Sequence, residues 1–146
     1  MRICRAFIAA VIMLNGCQAA RDDWTGQSTP DAVTGAAAGA IAGDMAGGFA
    51  EQLGPSGQKT TLLMKEDSSE FATALEAALK GWGFEVVTKE TDGGNVRPVA
   101  LTYAVDALDG QVLARISTPT IALGRAYALD AAGATPVSPL SILQRN

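Results

Sequence analysis

The clearest alternation of apolar and polar positions lies in residues 71–79. Phe71, Ala74, Leu75, Ala78 and Leu79 occupy positions i, i+3, i+4, i+7 and i+8, the spacing of a helix with one buried face. Asp67-Ser68-Ser69-Glu70 stands before it as a capping box. In that box Asp67 accepts from the first-turn amides and Glu70 reaches back. Lys80 suits the negative end of the helix dipole, and Gly81 or Gly83 ends the helix. On either side the period shortens. Residues 59–65 (KTTLLMK) and 84–88 (FEVVT) read as strands, the second followed by a turn at Asp92-Gly93-Gly94. Val99, Leu101, Tyr103 and Val105 then alternate with small or polar residues within 96–108, and Asp109-Gly110 is the signal of a type I′ hairpin. The return strand is 111–117, with Val112, Ala114 and Ile116 on one face. A further strand is predicted over 121–129, with Ile121, Leu123 and Tyr127 among its apolar positions. Residues 133–146, with Pro136 and Pro139, read as an extended tail open to a partner.

This order predicts an α+β fold: a small sandwich of one or two helices on a mostly antiparallel sheet. The folded part is assigned to residues 55–132, with 133–146 as its tail.

Residues 33–53 (VTGAAAGAIAGDMAGGFAEQL) allow two readings. Gly35, Gly39, Gly43 and Gly47 recur every four residues, which on a helix makes a shallow groove for close approach of another backbone. Ile41, Met45 and Phe49 recur at the same interval roughly opposite. This is a glycine-zipper surface for helix packing or self-association. The second reading is an Ala/Gly linker to Gly43 and an ordinary helix from Gly43 to Leu53, with Met45, Phe49 and Leu53 inward and Gly54-Pro55 ending it. Five glycines at about 1 kcal/mol each make a lone helix unstable. Asp44 sits mid-segment, and Thr34 and Glu51 shorten the apolar length below ~20 residues, so the segment does not read as a membrane span.

The amino terminus carries a different signal. Arg2 and Arg5 precede an apolar run from Ala6 to Leu14, the pattern of a secretory signal too short to cross a bilayer. Leu14-Asn15-Gly16-Cys17 resembles the lipobox of bacterial lipoproteins, in which the Cys thiol becomes a thioether to diacylglycerol after cleavage behind a small residue. Residues 1–16 are read as the signal peptide and Cys17 as the lipidated residue. Buried acyl chains contribute about 0.8 kcal/mol per CH2, enough for a lasting anchor when several are present. Gln18, rather than Asp, after Cys17 favours the outer membrane in enterobacteria-like sorting. Residues 17–32 lack apolar periodicity and read as a flexible tether in which Trp24 stands alone, suited to a membrane interface or a partner's pocket.

Composition narrows the chemistry. The 146 residues include no histidine, which removes imidazole bases, Ser-His-Asp and Cys-His pairs and imidazole metal ligands. The chain has 11 basic and 15 acidic side chains, a net charge of −4, and no basic cluster for nucleic acid. Cys4 leaves with the signal, so the mature chain has no disulfide. Hydrophobic content is 48%, but aromatics are only 5%, so the core is small. Asp106 and Asp109 flank the hairpin as turn residues, and the Gly-rich stretches lack the Lys-Ser/Thr of a phosphate loop. No catalytic residue, metal site or cofactor is assigned, apart from the covalent lipid.

Several segments resemble the conjugal transfer protein TrbH family: Gly43-Asp44-Met45, 50–55 (AEQLGP), 71–84 (FATALEAALKGWGF), 109–117 (DGQVLARIS), 123–127 (LGRAY) and 133–140 (GATPVSPL). The resemblance covers most of the chain from Ile41 and rests on structural motifs. It implies a lipoprotein of a mating apparatus, a type IV secretion system, seated in the outer-membrane core complex beside larger channel subunits. Cys17 is the one functional residue it carries over. The residues by themselves support an anchored, periplasm-facing, non-enzymatic adaptor. The alternative is an envelope lipoprotein that binds a ligand or modulates an envelope enzyme, unrelated to conjugation.

Overall fold

The computed structural model describes Val33 and residues 35–89 and 96–146. The signal at 1–16, the tether at 17–32 and the Asp92-Gly93-Gly94 turn lie outside the described residues. The described elements are α1 (Gly35–Gly57), β1 (Thr61–Met64), α2 (Glu70–Gly81), β2 (Glu85–Val87), β3 (Val99–Leu108), β4 (Gln111–Ser117), β5 (Ile121–Asp130), β6 (Gly133–Pro136) and β7 (Ser141–Gln144). The strands form one sheet in the order β2-β1-β3-β4-β5-β6, with β7 also on β5. β1 runs parallel to β2 and β3, and the remaining pairs are antiparallel. The α2 crossover makes the β1–β2 pair parallel, because two parallel strands cannot be joined by a tight turn. The expected α+β sandwich with a mostly antiparallel sheet is therefore the observed fold.

Both helices cover one face of the sheet. Register aligns Tyr103 with Ile116 and Ile116 with Leu123, and all three are buried. Phe71 of α2 packs on Tyr103 with ring centroids 5.5 Å apart. Leu75 and Leu79, at the predicted spacing, are fully buried.

The capping box differs from the expectation. Ser69, not Asp67, is the N-cap, and its Oγ accepts from the Ala72 amide at 3.1 Å. Asp67 instead accepts from the amide and hydroxyl of Ser69. Glu70 does not reach back; its carboxylate accepts from the Gly35 amide at the start of α1. An acceptor two residues before the cap steadies the capping hydroxyl, while Glu70 meets the orphan amide of the neighbouring helix. The other end of α2 is as predicted. Gly83 has φ 97°, its amide donates to Lys80, and the Phe84 amide donates to Leu79, the paired bonds of a Schellman ending.

The linker reading of the Ala/Gly stretch is overturned. Residues from Gly35 onward are helical, and Ala37, Ala38, Ile41, Ala42, Met45, Ala46, Phe49 and Ala50 are buried. Tertiary burial of this face, helped by alanine's propensity, outweighs the glycines. The expected stop is present as a break: Gly54 leaves helical geometry (φ 64°, ψ −177°), and Pro55 starts one final turn, a position its ring favours.

The hairpin matches its signal. Asp109 and Gly110 have φ 50° and 77°, and Leu108 pairs with Gln111 across the turn, as a type I′ connection requires. Residues 133–146 are extended, but they pair within the chain rather than stand open. β6 covers Tyr127–Asp130 of β5 and β7 covers Ile121–Gly124. Between them, the Val137 amide donates to the Ala126 carbonyl and the Ala126 amide donates to Ser138 Oγ, both at 2.9 Å. The edge of β5 would otherwise expose its backbone groups, which explains why the tail docks there.

Candidate functional site

Leu14, Asn15, Gly16 and Cys17, the lipobox residues, lie outside the described residues. Gly35, Gly39, Gly43 and Gly47 all lie on α1. Four residues of helix advance about 400°, so the stripe drifts about 40° at each step. The drift separates the last glycine from the others. Among the described residues, nothing stands near where a Cβ would lie at Gly35, Gly39 and Gly43, whereas a Cβ on Gly47 would lie 3.4 Å from the Trp82 indole. Its neighbour is approached more closely: a Cβ on Gly48 would come within 2.7 Å of Leu140 Cδ2. Gly48 lets the segment before β7 close on the helix. The spacing rule passes over it because it stands one position after Gly47, the last glycine of the stripe.

Opposite that stripe, Asp44 turns toward the sheet. It accepts from Arg125 Nη1 with both oxygens, at 3.0 and 3.1 Å, and from the Tyr127 hydroxyl at 2.6 Å. Arg125 Nε also donates to the Ser138 carbonyl at 2.9 Å. One carboxylate thus joins α1, β5 and the segment between β6 and β7. Burial pushes the Tyr127 phenol up, and its bond to Asp44 adds to the rise. No local pattern pairs these residues, but the sequence carries two signals of them. Asp44 is a charge in an Ala/Gly helix, and Arg125 has the same strand parity as Ile121, Leu123 and Tyr127, which points it inward.

A second polar contact joins α2 to the sheet. The Tyr103 hydroxyl donates to Asp67, the acid that also holds Ser69. Burial, then the Asp67 carboxylate, raises the Tyr103 phenol. The hydrogen bond from Tyr103 is the main reason Asp67 is lowered below the ordinary carboxylate value. In both clusters a carboxylate accepts from a buried tyrosine and so ties a helix end or helix face to the sheet.

The other face of the sheet carries no helix among the described residues. Across it runs the row Thr102–Ser117–Ala122, the floor of a concavity of about 680 Å³ whose charged lining residues are Arg115 and Arg145. Among the described residues no three His, Cys, Asp or Glu side chains gather to hold a metal ion. No described helix is long and apolar enough to cross a membrane.

Comparison with known proteins adds what this geometry lacks. The family model described as "Conjugal transfer protein TrbH" matches residues 19–146. A curated relative from Sinorhizobium fredii (strain NBRC 101917 / NGR234), "Probable conjugal transfer protein TrbH", is 58% identical over 139 residues, which is 93% of this chain and 93% of the relative. No solved structure matches the chain.

Proposed function

The chain belongs to the TrbH family of conjugal transfer proteins, and on that premise we propose that it is a lipid-anchored structural part of the mating apparatus. The observation that carries the anchor is Leu14-Asn15-Gly16-Cys17 behind a charged start and an apolar run. Cleavage before Cys17 and acylation of its thiol leave the domain on the outer membrane facing the periplasm, in the core complex of the channel. The role is non-enzymatic in this reading, which the occupation of Asp44 and Asp67 by tyrosines of the sheet supports. The subunit works by presenting surfaces. One of these is the open side of α1 at Gly35, Gly39 and Gly43, where small residues let a neighbouring backbone come close.

Two variants test the reading. Cys17→Ser should stop incorporation of labelled palmitate, move the chain out of the membrane fraction or leave it unprocessed, and lower plasmid transfer. Normal transfer at normal expression would refute the anchored role. A Cβ at Gly39 or Gly43 meets no described atom within 4 Å, so Gly39→Leu with Gly43→Leu should leave the domain folded while weakening co-purification with core subunits. Unchanged assembly would remove α1 as a contact surface.

A further inference from the structure

One edge of the sheet lacks the protection of the others. β6 is closed against α1, since a Cβ on Gly133 would lie 3.4 Å from the Ala36 carbonyl oxygen, and it ends at Pro136, which has no amide to offer. β2 is three residues long and begins with exposed Glu85. β7 (Ser141-Ile142-Leu143-Gln144) has no charge, no proline and no bulge, the devices that blunt a free edge. All four of its residues are exposed, and two of them are large and aliphatic. Among the described residues β7 pairs with β5 alone. The hydrogen bonds fix which backbone groups this edge presents. The Arg145 amide donates to the Thr120 carbonyl at 2.8 Å, and the Ile121 carbonyl accepts from the Thr118 amide at the end of β4. Backbone direction alternates along a strand. Leu143 and Ser141 therefore turn to β5 as Arg145 does, while the amides and carbonyls of Ile142 and Gln144 point outward and meet no strand among the described residues.

We propose that this edge pairs antiparallel with β7 of a second copy of the chain, about a two-fold axis at Leu143. A two-fold contact needs a patch that complements itself, and β7 does. With Ile142 opposite Gln144 of the second copy, and Gln144 opposite its Ile142, all four outward groups on each side are bonded. Moving the axis to Ile142 would set Gln144 opposite Leu140 of the second copy, and Leu140 is held against Gly48 of α1. Leu143 then faces its counterpart as a non-hydrogen-bonded pair with Cα atoms about 4.5 Å apart. The row Thr102–Ser117–Ala122–Leu143 thereby continues across the axis. Charge permits this register. Arg145 stands opposite Ser141 of the second copy, so the two arginine positions lie four residues, or about 13 Å, apart along the strands. The chain's own stretches outside the described residues offer no strand for this edge. Residues 17–32 and 90–95 (ETDGGN) have no apolar alternation, and the apolar run within 1–16 belongs to the signal. Four residues a side bury far less than the area of about 1,200 Å² of a stable interface, so the contact is weak and fills with concentration.

The test uses the full-length chain in two differently tagged copies, produced together in cells without a mating apparatus. Native copies should co-purify. Leu143→Lys in both copies sets like charges directly opposite each other and should lower recovery by about fivefold or more, as should Leu143→Glu in both. A Leu143→Lys copy with a Leu143→Glu copy should restore it. Leu143 is exposed, so circular dichroism should show each variant folded. On mild oxidation Leu143→Cys should give a disulfide-linked dimer about fivefold faster or more than Ile142→Cys or Gln144→Cys, whose counterparts lie two residues out of line. The native chain sets the baseline. Native copies that do not co-purify, with no cross-link at position 143, overturn the proposal and leave β7 to a strand of another protein. Recovery that ignores the charges overturns it too and places the contact elsewhere, the glycine face of α1 included. So does loss in both like-charged pairs without restoration in the mixed pair, or equal cross-linking at positions 142, 143 and 144, since either excludes the two-fold at Leu143.

Discussion

Replacing Asp44 by alanine tests whether one carboxylate joins the long helix to the far side of the sheet. The substitution removes the acceptor of the Tyr127 hydroxyl, on a residue 1% exposed, and both oxygens facing Arg125. Leaving a buried hydroxyl unsatisfied costs about 1–3 kcal/mol. Breaking a fully buried ion pair costs about 3–5 kcal/mol. Here the side chains of Arg125 and Asp44 are 25% and 32% exposed, and Arg125 keeps the Ser138 carbonyl, so water and that bond reduce the ion-pair part to about 1–2 kcal/mol. Asp44→Ala should therefore destabilise by about 3 kcal/mol, which lowers Tm by about 12 °C for a domain of this size. Urea unfolding followed by circular dichroism measures it. Asp44→Asn keeps an acceptor for Tyr127 and should lose about half as much. The triple change Asp44→Leu, Arg125→Met, Tyr127→Phe should return close to native stability, because a packed apolar set removes the desolvation cost along with the bonds. A loss below about 0.5 kcal/mol in Asp44→Ala would refute the reasoning, since that is the size of a surface pair.

Other expectations follow from the same contacts. The chain has two tyrosines, both raised by burial and by a carboxylate partner, so they stabilise the fold below their ordinary value near about 10 and lose that effect as pH rises. Tyrosinate absorbance should appear together with loss of helical signal, and a phenol titrating at its ordinary value in the folded chain would contradict this. Asp67 has the opposite sign: its lowered value adds stability above about pH 3.9 that is lost as pH falls. Urea midpoints for Asp67→Asn should therefore depend less on pH across the acid range than those of the native chain. Gly43→Ala enters open space and should stabilise by about 0.5–1 kcal/mol. Gly48→Ala must displace the tip of Leu140 and should fall about 1 kcal/mol below it, with equal effects counting against the close approach.

What the sequence disclosed follows the range of the interactions involved. Helix α2 and the Asp109-Gly110 hairpin are encoded by neighbours in the chain, through the apolar spacing of Phe71, Leu75 and Leu79 and through the φ preferences of a two-residue turn. Helix α1 was harder because its local signals conflict. Five glycines in 33–53 argue against a helix, and only the burial of Ile41, Met45 and Phe49 decides the matter. The short strands β6 and β7 have four residues each, too few to show a period, and they exist because β5 offers an edge. The choice between Asp67 and Ser69 as cap turned on which of two adjacent acceptors faced Ala72, which composition does not specify. Asp44 and Arg125 were each legible as inward charges, yet their pairing spans 81 positions and belongs to the tertiary fold.

That pairing also explains how segments without catalytic signatures could point to a family. Gly43-Asp44-Met45 supplies the carboxylate, 123–127 supplies Arg125 and Tyr127, and 133–140 supplies Ser138 and the Leu140 that closes on Gly48. Residues 71–84 form α2 with its Gly83 ending, and 109–117 form the hairpin turn and the strand beneath the core. Each of these five segments therefore contributes a contact that builds the framework. Arg145, at the rim of the outward groove, lies beyond all of these segments. Its charge can therefore be reversed without touching the network around Asp44.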